Sequence, residues 1–471
     1  MLAFTAAVLD RACRVVTTAM LSGTLLLFAV LTFSSLAGAQ LIQRSTPAND
    51  SLDLDNVLKA DDATDIDATT YVMRAVHNML YAEDFDRLDA LADSLRRNKV
   101  RFSGGMWKIH TFYGGTRPFG HATEDDWKQL EAILTRWAAA KPKSVTARVA
   151  LAQMYLDYAW SARGDGYAST VSKSGWKLFE SRTSKAKEVL DSARALPEIC
   201  PEWFLEMQSV ALNQGWPKEG KAELLKSAIS FEPGYYYYYR EHALSLLPKW
   251  DGEPGEVEKF IADSSDRIGG AEGDILYFRV ASFLSGEREV FEKLSFRRIR
   301  QGFTQSERVY GVSLTNMNLF AYMAWIFQEA GVADPIFKRI GDQWSEDPFG
   351  SEATFENGKK WAAQFAEIIP DTSDLEEKMK TPEGQRYDAE FRTKFADLIQ
   401  SCLEKADAAE GPVRLLASIA GDGTISTMRT LQGNSKGVCL FQAGHQKLSP
   451  PSHAPFQILL TFNIPLQTAP K

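Results

Sequence analysis

The chain has 471 residues, 45% of them hydrophobic and 24% charged, proportions that exclude a disordered tail, a collagen-like fibre and a small cross-linked domain. A single hydrophobic core stops growing near about 250–300 residues, so this length requires several domains or a repeat array. With 53 basic against 61 acidic side chains, a formal charge of -8 and no long basic cluster, nucleic-acid binding, which rests on neutralising phosphates, is not expected.

In chain order, Arg11 and Arg14 precede an uncharged run from Val15 whose apolar centre lies between Met20 and Phe33. The run closes on Ala37-Gly38-Ala39, the small-x-small pattern of a signal cleavage site, so residues 1–39 read as an export signal. The competing reading is an uncleaved anchor, because Val15 to Ala39 at 1.5 Å per residue could cross a bilayer core of about 30 Å. Thr17, Thr18, Ser22, Thr24, Ser34 and Ser35 dilute that span and favour cleavage. Either outcome places the body outside the cytoplasm, periplasmic or secreted, with the membrane a partner only if the segment is retained. Cys200, Cys402 and Cys439 remain after the signal. An oxidising compartment permits a bridge, and Cys402 with Cys439 is the natural pair. Cys200, flanked by Leu196, Pro197, Ile199, Pro201 and Trp203, is expected to be an inert core thiol.

Residues 40–67 are polar and rich in aspartate, from Asp50 to Asp67. The spacing lacks the central glycine and closing glutamate of a calcium loop, so an acidic flexible linker is expected. From 68 to 405 apolar residues recur at helical spacing, as in Tyr71, Ala75, Met79 and Leu80, or Ala147, Leu151, Met154, Tyr155 and Tyr158. Breakers such as Gly164, Pro197, Pro217, Pro233, Gly269 and Pro335 cut this stretch into helices of ordinary length. Strand-like alternation is absent. Antiparallel helix pairs that bury their apolar faces on one another predict a mainly α chain arranged as an α-solenoid.

Trp203, Phe204, Met207, Gly215, Ala222, Leu225, Ala228 and Pro233 occupy small and apolar positions spaced as in a helical repeat, and this stretch resembles the tetratricopeptide repeat. Ala159-Trp160-x-x-Arg163-Gly164-x-Gly166-Tyr167-Ala168, Gly175-Trp176, Pro248-x-Trp250-x-Gly252-x-Pro254-Gly255 and Gly273-Asp274-x-x-Tyr277 are similar to an uncharacterised family of exported bacterial helical-repeat proteins. That resemblance spans 68 to about 365 and implies a fold but no activity.

After Gly411 the pattern changes. Val413 to Ile419 and Ile425 to Leu431 read as strands joined at Gly421-Asp422-Gly423, and Phe456 to Ile464 as a third strand after a short helical piece. This ββαβ order over 411–471 resembles the C-terminal domain of TonB-like energy transducers.

The chain has no phosphate-binding loop or H-E-x-x-H, and neither a cofactor nor a catalytic residue is assigned. Phe102 to His121 is dense in glycine and aromatics and reads as a loop on a rigid frame, either a binding loop or a cap over the helical stack. Its candidate ligand residues are Trp107, His110, Tyr113, Arg117 and His121. His110 and His121 with Glu124 and Asp125 form a conceivable metal or acid–base set. The alternative, with Thr123 capping the next helix, makes the acidic residues partners of its dipole. Tyr235 and Tyr238, in a run of five tyrosines, and the pair Trp160 and Arg163 complete the candidates. The leading expectation is an exported scaffold that binds a protein or peptide in the cell envelope. The alternative is a cell-wall sugar-directed hydrolase or lyase centred on residues 102–121.

Overall fold

Helix-forming periodicity produces helices throughout most of the computed structural model, which describes residues 54–366 except Asp165, Tyr167 and Asp251, then Asp371, Leu375, 378–403, 413–431 and 435–462. The export signal and residues 40–53 of the acidic stretch lie outside the described residues. The chain divides into a first body, residues up to 294 with 301–316, and a second, residues 295–300 with those from 317 onward.

The first body carries α1 (Leu54–Lys59), α2 (Ala68–Tyr81), α3 (Phe85–Arg97), α4 (Lys108–Gly115), α5 (Glu124–Ala140), α6 (Val145–Arg163) and α7 (Lys173–Ala193). It continues with α8 (Pro201–Asn213), α9 (Lys218–Phe231), α10 (Tyr237–Ser245), α11 (Glu256–Ile268), α12 (Gly270–Phe283) and α13 (Arg288–Phe291). Local chemistry fixes the ends. Thr123 opens α5 in a capping box with Asp126, and Ser144 and Ser172 accept backbone N–H groups at the starts of α6 and α7. Pro201 supplies the first turn of α8, where its missing N–H costs nothing. Amphipathic helices turn one stripe inward; α3 buries Leu88, Leu91, Ala92 and Leu95. By contrast α6 is buried on most sides, because α5, α7 and α8 all pack on it. From α5 to α12 most helices pack on the next in sequence, and α6, α8, α10 and α12 also pack on one another in succession. At Gly115 a Cβ would lie 2.5 Å from the Met73 carbonyl oxygen, so α2 and α4 meet backbone to backbone.

Two expectations are corrected here. The acidic stretch is not a solvated linker from Leu54 onward: Asp61 accepts the Ser103 N–H and hydroxyl, each at 2.6 Å, and Asp62 is fully buried and accepts the Ser313 hydroxyl at 2.6 Å. Lys108 anchors α1 by donating to the Leu58 carbonyl at 2.6 Å. Nor is Phe102–His121 a long loop. Its centre is α4, preceded by a 3-10 turn at Ser103–Gly105, and Phe102, Trp107, Phe112 and Tyr113 are buried. These four aromatic residues pack into the core, whereas Phe119 is exposed.

Helices α14 (Phe296–Tyr310) and α15 (Leu314–Ile326) follow, and the second body continues with α16 (Ala330–Ile340), α17 (Glu346–Phe349), α18 (Glu352–Phe365), α19 (Pro382–Lys394) and α20 (Ala396–Leu403). Its sheet has the order β2-β1-β3, antiparallel throughout, from β1 (Val413–Ile419), β2 (Ile425–Leu431) and β3 (Phe456–Phe462). The β1–β2 turn uses Gly423 at φ 85°, and Asp422 accepts the Thr424 N–H at 3.0 Å and the Lys447 ammonium at 2.9 Å. A 3-10 segment, Ser435–Ala443, stands where a helix was expected. Tyr387, Phe391, Val413, Leu415, Ile458 and Leu460 share one core, and the Cys402–Cys439 disulfide ties α20 to the 3-10 segment. Helices α19 and α20 therefore belong with the sheet, and a domain limit between 405 and 411 does not separate them. Among the described residues no helix is long and apolar enough to cross a membrane.

Candidate functional site

The first body encloses a polar cluster where α4, α6, α8 and α10 converge. Glu202 enters in the first turn of α8, a position that favours negative charge, and is fully buried. It faces the His110 Nδ1 at 2.9 Å and accepts the Tyr235 hydroxyl. The His110 ring stacks on Tyr237 with centroids 3.7 Å apart. One turn along α8, Glu206 accepts Gln153 Nε2 at 2.9 Å, and Gln153 Oε1 accepts the Thr116 hydroxyl at 3.2 Å. Burial holds the Glu206 carboxyl well above the usual carboxylate range, against the opposing pull of Arg117. Arg117 itself is paired with Asp157 at 2.8 Å. The Tyr113 hydroxyl lies 3.3 Å from the Cys200 sulfur, and burial raises the pKa of both groups. A thiol so placed is a poor nucleophile.

Of the residues singled out from the sequence, this cluster gathers His110, Tyr113, Arg117 and Tyr235. Trp107 joins its edge, donating from Nε1 to the Gly234 carbonyl at 3.0 Å and packing edge-on against Tyr235. Tyr238 is fully buried beside them. The proposed metal or acid–base set is not assembled: His110 pairs with Glu202, His121 is exposed, Glu124 receives the Tyr158 hydroxyl and Asp125 pairs with Lys128. Among the described residues no group of three or more His, Cys, Asp and Glu side chains could hold a metal ion. Trp160 and Arg163 lie elsewhere, where the guanidinium sits 5.0 Å from the Trp160 ring centre, 5.4 Å from Trp176 and 6.0 Å from Trp250. These cation–π contacts bind α6 to α7 and to the 3-10 turn Pro248–Trp250.

A second feature is an open groove of about 520 Å³ between α9, α10 and α11, lined by Trp216, Lys218, Lys221, His242, Leu246, Trp250, Glu256, Lys259 and Phe260 among others. Gly215 at φ 62° and Pro217 flank Trp216, which lines the groove. His242 packs 4.9 Å from Phe260, and burial, helped by the charge of Lys221, lowers its pKa to about 4. The imidazole is therefore neutral near pH 7. In the sequence Gly215, Pro217 and Pro248–Pro254 read as helix breakers and as parts of the helical-repeat resemblance, not as the rim of a groove. The signal for the groove was the tryptophan set into each of those turns, Trp216 and Trp250, beside lysine-bearing helices. No family model matches the chain, and no curated protein matches it. The groove and the buried cluster are thus interpreted from their own chemistry.

Proposed function

We propose that this protein is an exported helical-repeat scaffold that binds a peptide or protein segment in the cell envelope, and that the groove between α9, α10 and α11 receives it. The observation that carries this reading is the contrast between two sites. The acid–base groups are enclosed with their partners inside the first body, whereas the groove opens a volume typical of ligand sites with aromatic walls and a few polar groups. Packing of most helices from α5 to α12 on the next, with α6, α8, α10 and α12 in a second succession, supports stacked helix pairs as in a solenoid. A photo-crosslinker at Trp216 should yield an adduct with an envelope peptide or protein, and one at the exposed Glu180 on α7 should not. Equal labelling from both positions would refute the groove.

The hydrolase or lyase reading has one observation in its favour, the contact of His110 and Tyr235 with Glu202, since a histidine–carboxylate pair can move protons. Glu202 is fully buried, which places it in the core instead of on a substrate surface. Unchanged cell-wall cleavage by a His110→Ala variant would remove that reading.

A further inference from the structure

The groove has a charge balance that selects one kind of ligand. Lys218 is committed to Glu256 at 2.8 Å and Lys259 to Asp263 at 2.5 Å. Lys221, on the same wall, makes no ion pair among the described residues. Beside it the His242 ring, also in the groove wall, has no hydrogen-bond partner among the described residues. Lys221 and His242 stand against the aromatic walls of Trp216, Trp250 and Phe260, so a ligand that satisfies them carries an anionic acceptor on an apolar body. The groove also has an inner limit. Lys221, His242 and Ser245 wall a second cavity of about 10 Å³, room for one water at most. Glu241, whose carboxyl is raised by burial, lines that small cavity and not the groove.

We infer that the groove captures the C-terminal end of a peptide, with the free α-carboxylate at Lys221 and His242 and an apolar last side chain among Trp216, Trp250 and Phe260. This rests on the peptide-binding reading above and names the part of the peptide that is read. A charge-assisted hydrogen bond to a carboxylate in a partly dry site is among the stronger polar contacts. Amidating the peptide end removes the charge, and should weaken binding about tenfold or more.

The test uses the full chain and three probes followed by tryptophan fluorescence and calorimetry: N-acetyl-Ala-Ala-Phe as the free acid, the same peptide amidated, and 3-phenylpropionate. The acid should bind about tenfold or more tightly than the amide. Lys221→Gln should lower acid binding to the level of the amide and leave the amide unchanged, which also shows that the variant is folded. Phe260→Ala should weaken both peptides alike. Equal binding of acid and amide overturns carboxylate recognition and leaves a peptide groove standing. Equal binding of 3-phenylpropionate and the acid peptide overturns the peptide reading while the carboxylate site survives. Failure of all three probes to bind overturns the inference outright.

Discussion

His242 should make the first body sensitive to acid, and the size of the effect follows from its burial. The ring is 8% exposed and its pKa falls from 6.5 to about 4, chiefly because burial disfavours the imidazolium. The unfolded chain takes up a proton below pH 6.5 and the folded chain does so only near pH 4, so the unfolded state binds more protons across that window. Stability contributed by the neutral ring is complete above pH 6.5 and is lost as pH falls toward 4, in total about 3 kcal/mol at 1.36 kcal/mol per pH unit. Denaturant titrations at intervals from pH 7.5 to 4, followed by tryptophan fluorescence, should show this slope in the parent and a shallower one in His242→Gln. The difference between the two stability curves isolates the histidine from the carboxylates that also titrate. Parallel curves would refute the reasoning. Lys221→Gln should in addition raise the His242 pKa, since the neighbouring charge is part of the depression, and an imidazole proton titration by NMR reads that directly.

Replacing Cys402 and Cys439 by serine opens a loop of 37 residues and should cost the second body about 4 kcal/mol in the chain-entropy account; identical guanidinium midpoints with and without reductant would contradict it. Glu202→Ala leaves the Tyr235 hydroxyl and the His110 Nδ1 without their buried partner and should destabilise by about 3 kcal/mol, with Tyr235→Phe costing about 1–2, measured by urea unfolding. Gly115→Ala places a methyl group 2.5 Å from the Met73 carbonyl oxygen, and the forced separation of α2 from α4 should cost about 1–3 kcal/mol, seen as a lower melting temperature. Thr123→Ala breaks the capping box of α5 and should cost about 1 kcal/mol; hydrogen exchange at the Asp126 amide should rise with it.

How far the fold could be read in advance depended on whether local chemistry decided the outcome. Thr123 and Gly423 act within a few residues of themselves, so the start of α5 and the β1–β2 turn were anticipated. The pairing of Cys402 with Cys439 was expected because both lie in the C-terminal part of the chain, away from Cys200. Residues 102–121 were misread because glycine and aromatic density signals a loop only when nothing distant covers it. Trp107 finds Gly234, and Tyr113 finds Cys200, across the body. Asp62 was assigned to solvent for the same reason, its partner Ser313 being far along the chain. Glu202 and Glu206 carry no motif, and only the crossing of α6 and α8 makes them the centre of the cluster. The groove needed three helices to become visible, since Lys221, His242 and Phe260 each belong to a different one.

Cys200 is fully buried with its sulfur against Tyr113 and is the free thiol among the described residues. An alkylating reagent can reach it only while α4 and α8 are parted. The speed at which that position is modified in the native protein therefore counts how often the first body breathes, and a bound ligand that clamps the helices would slow the clock.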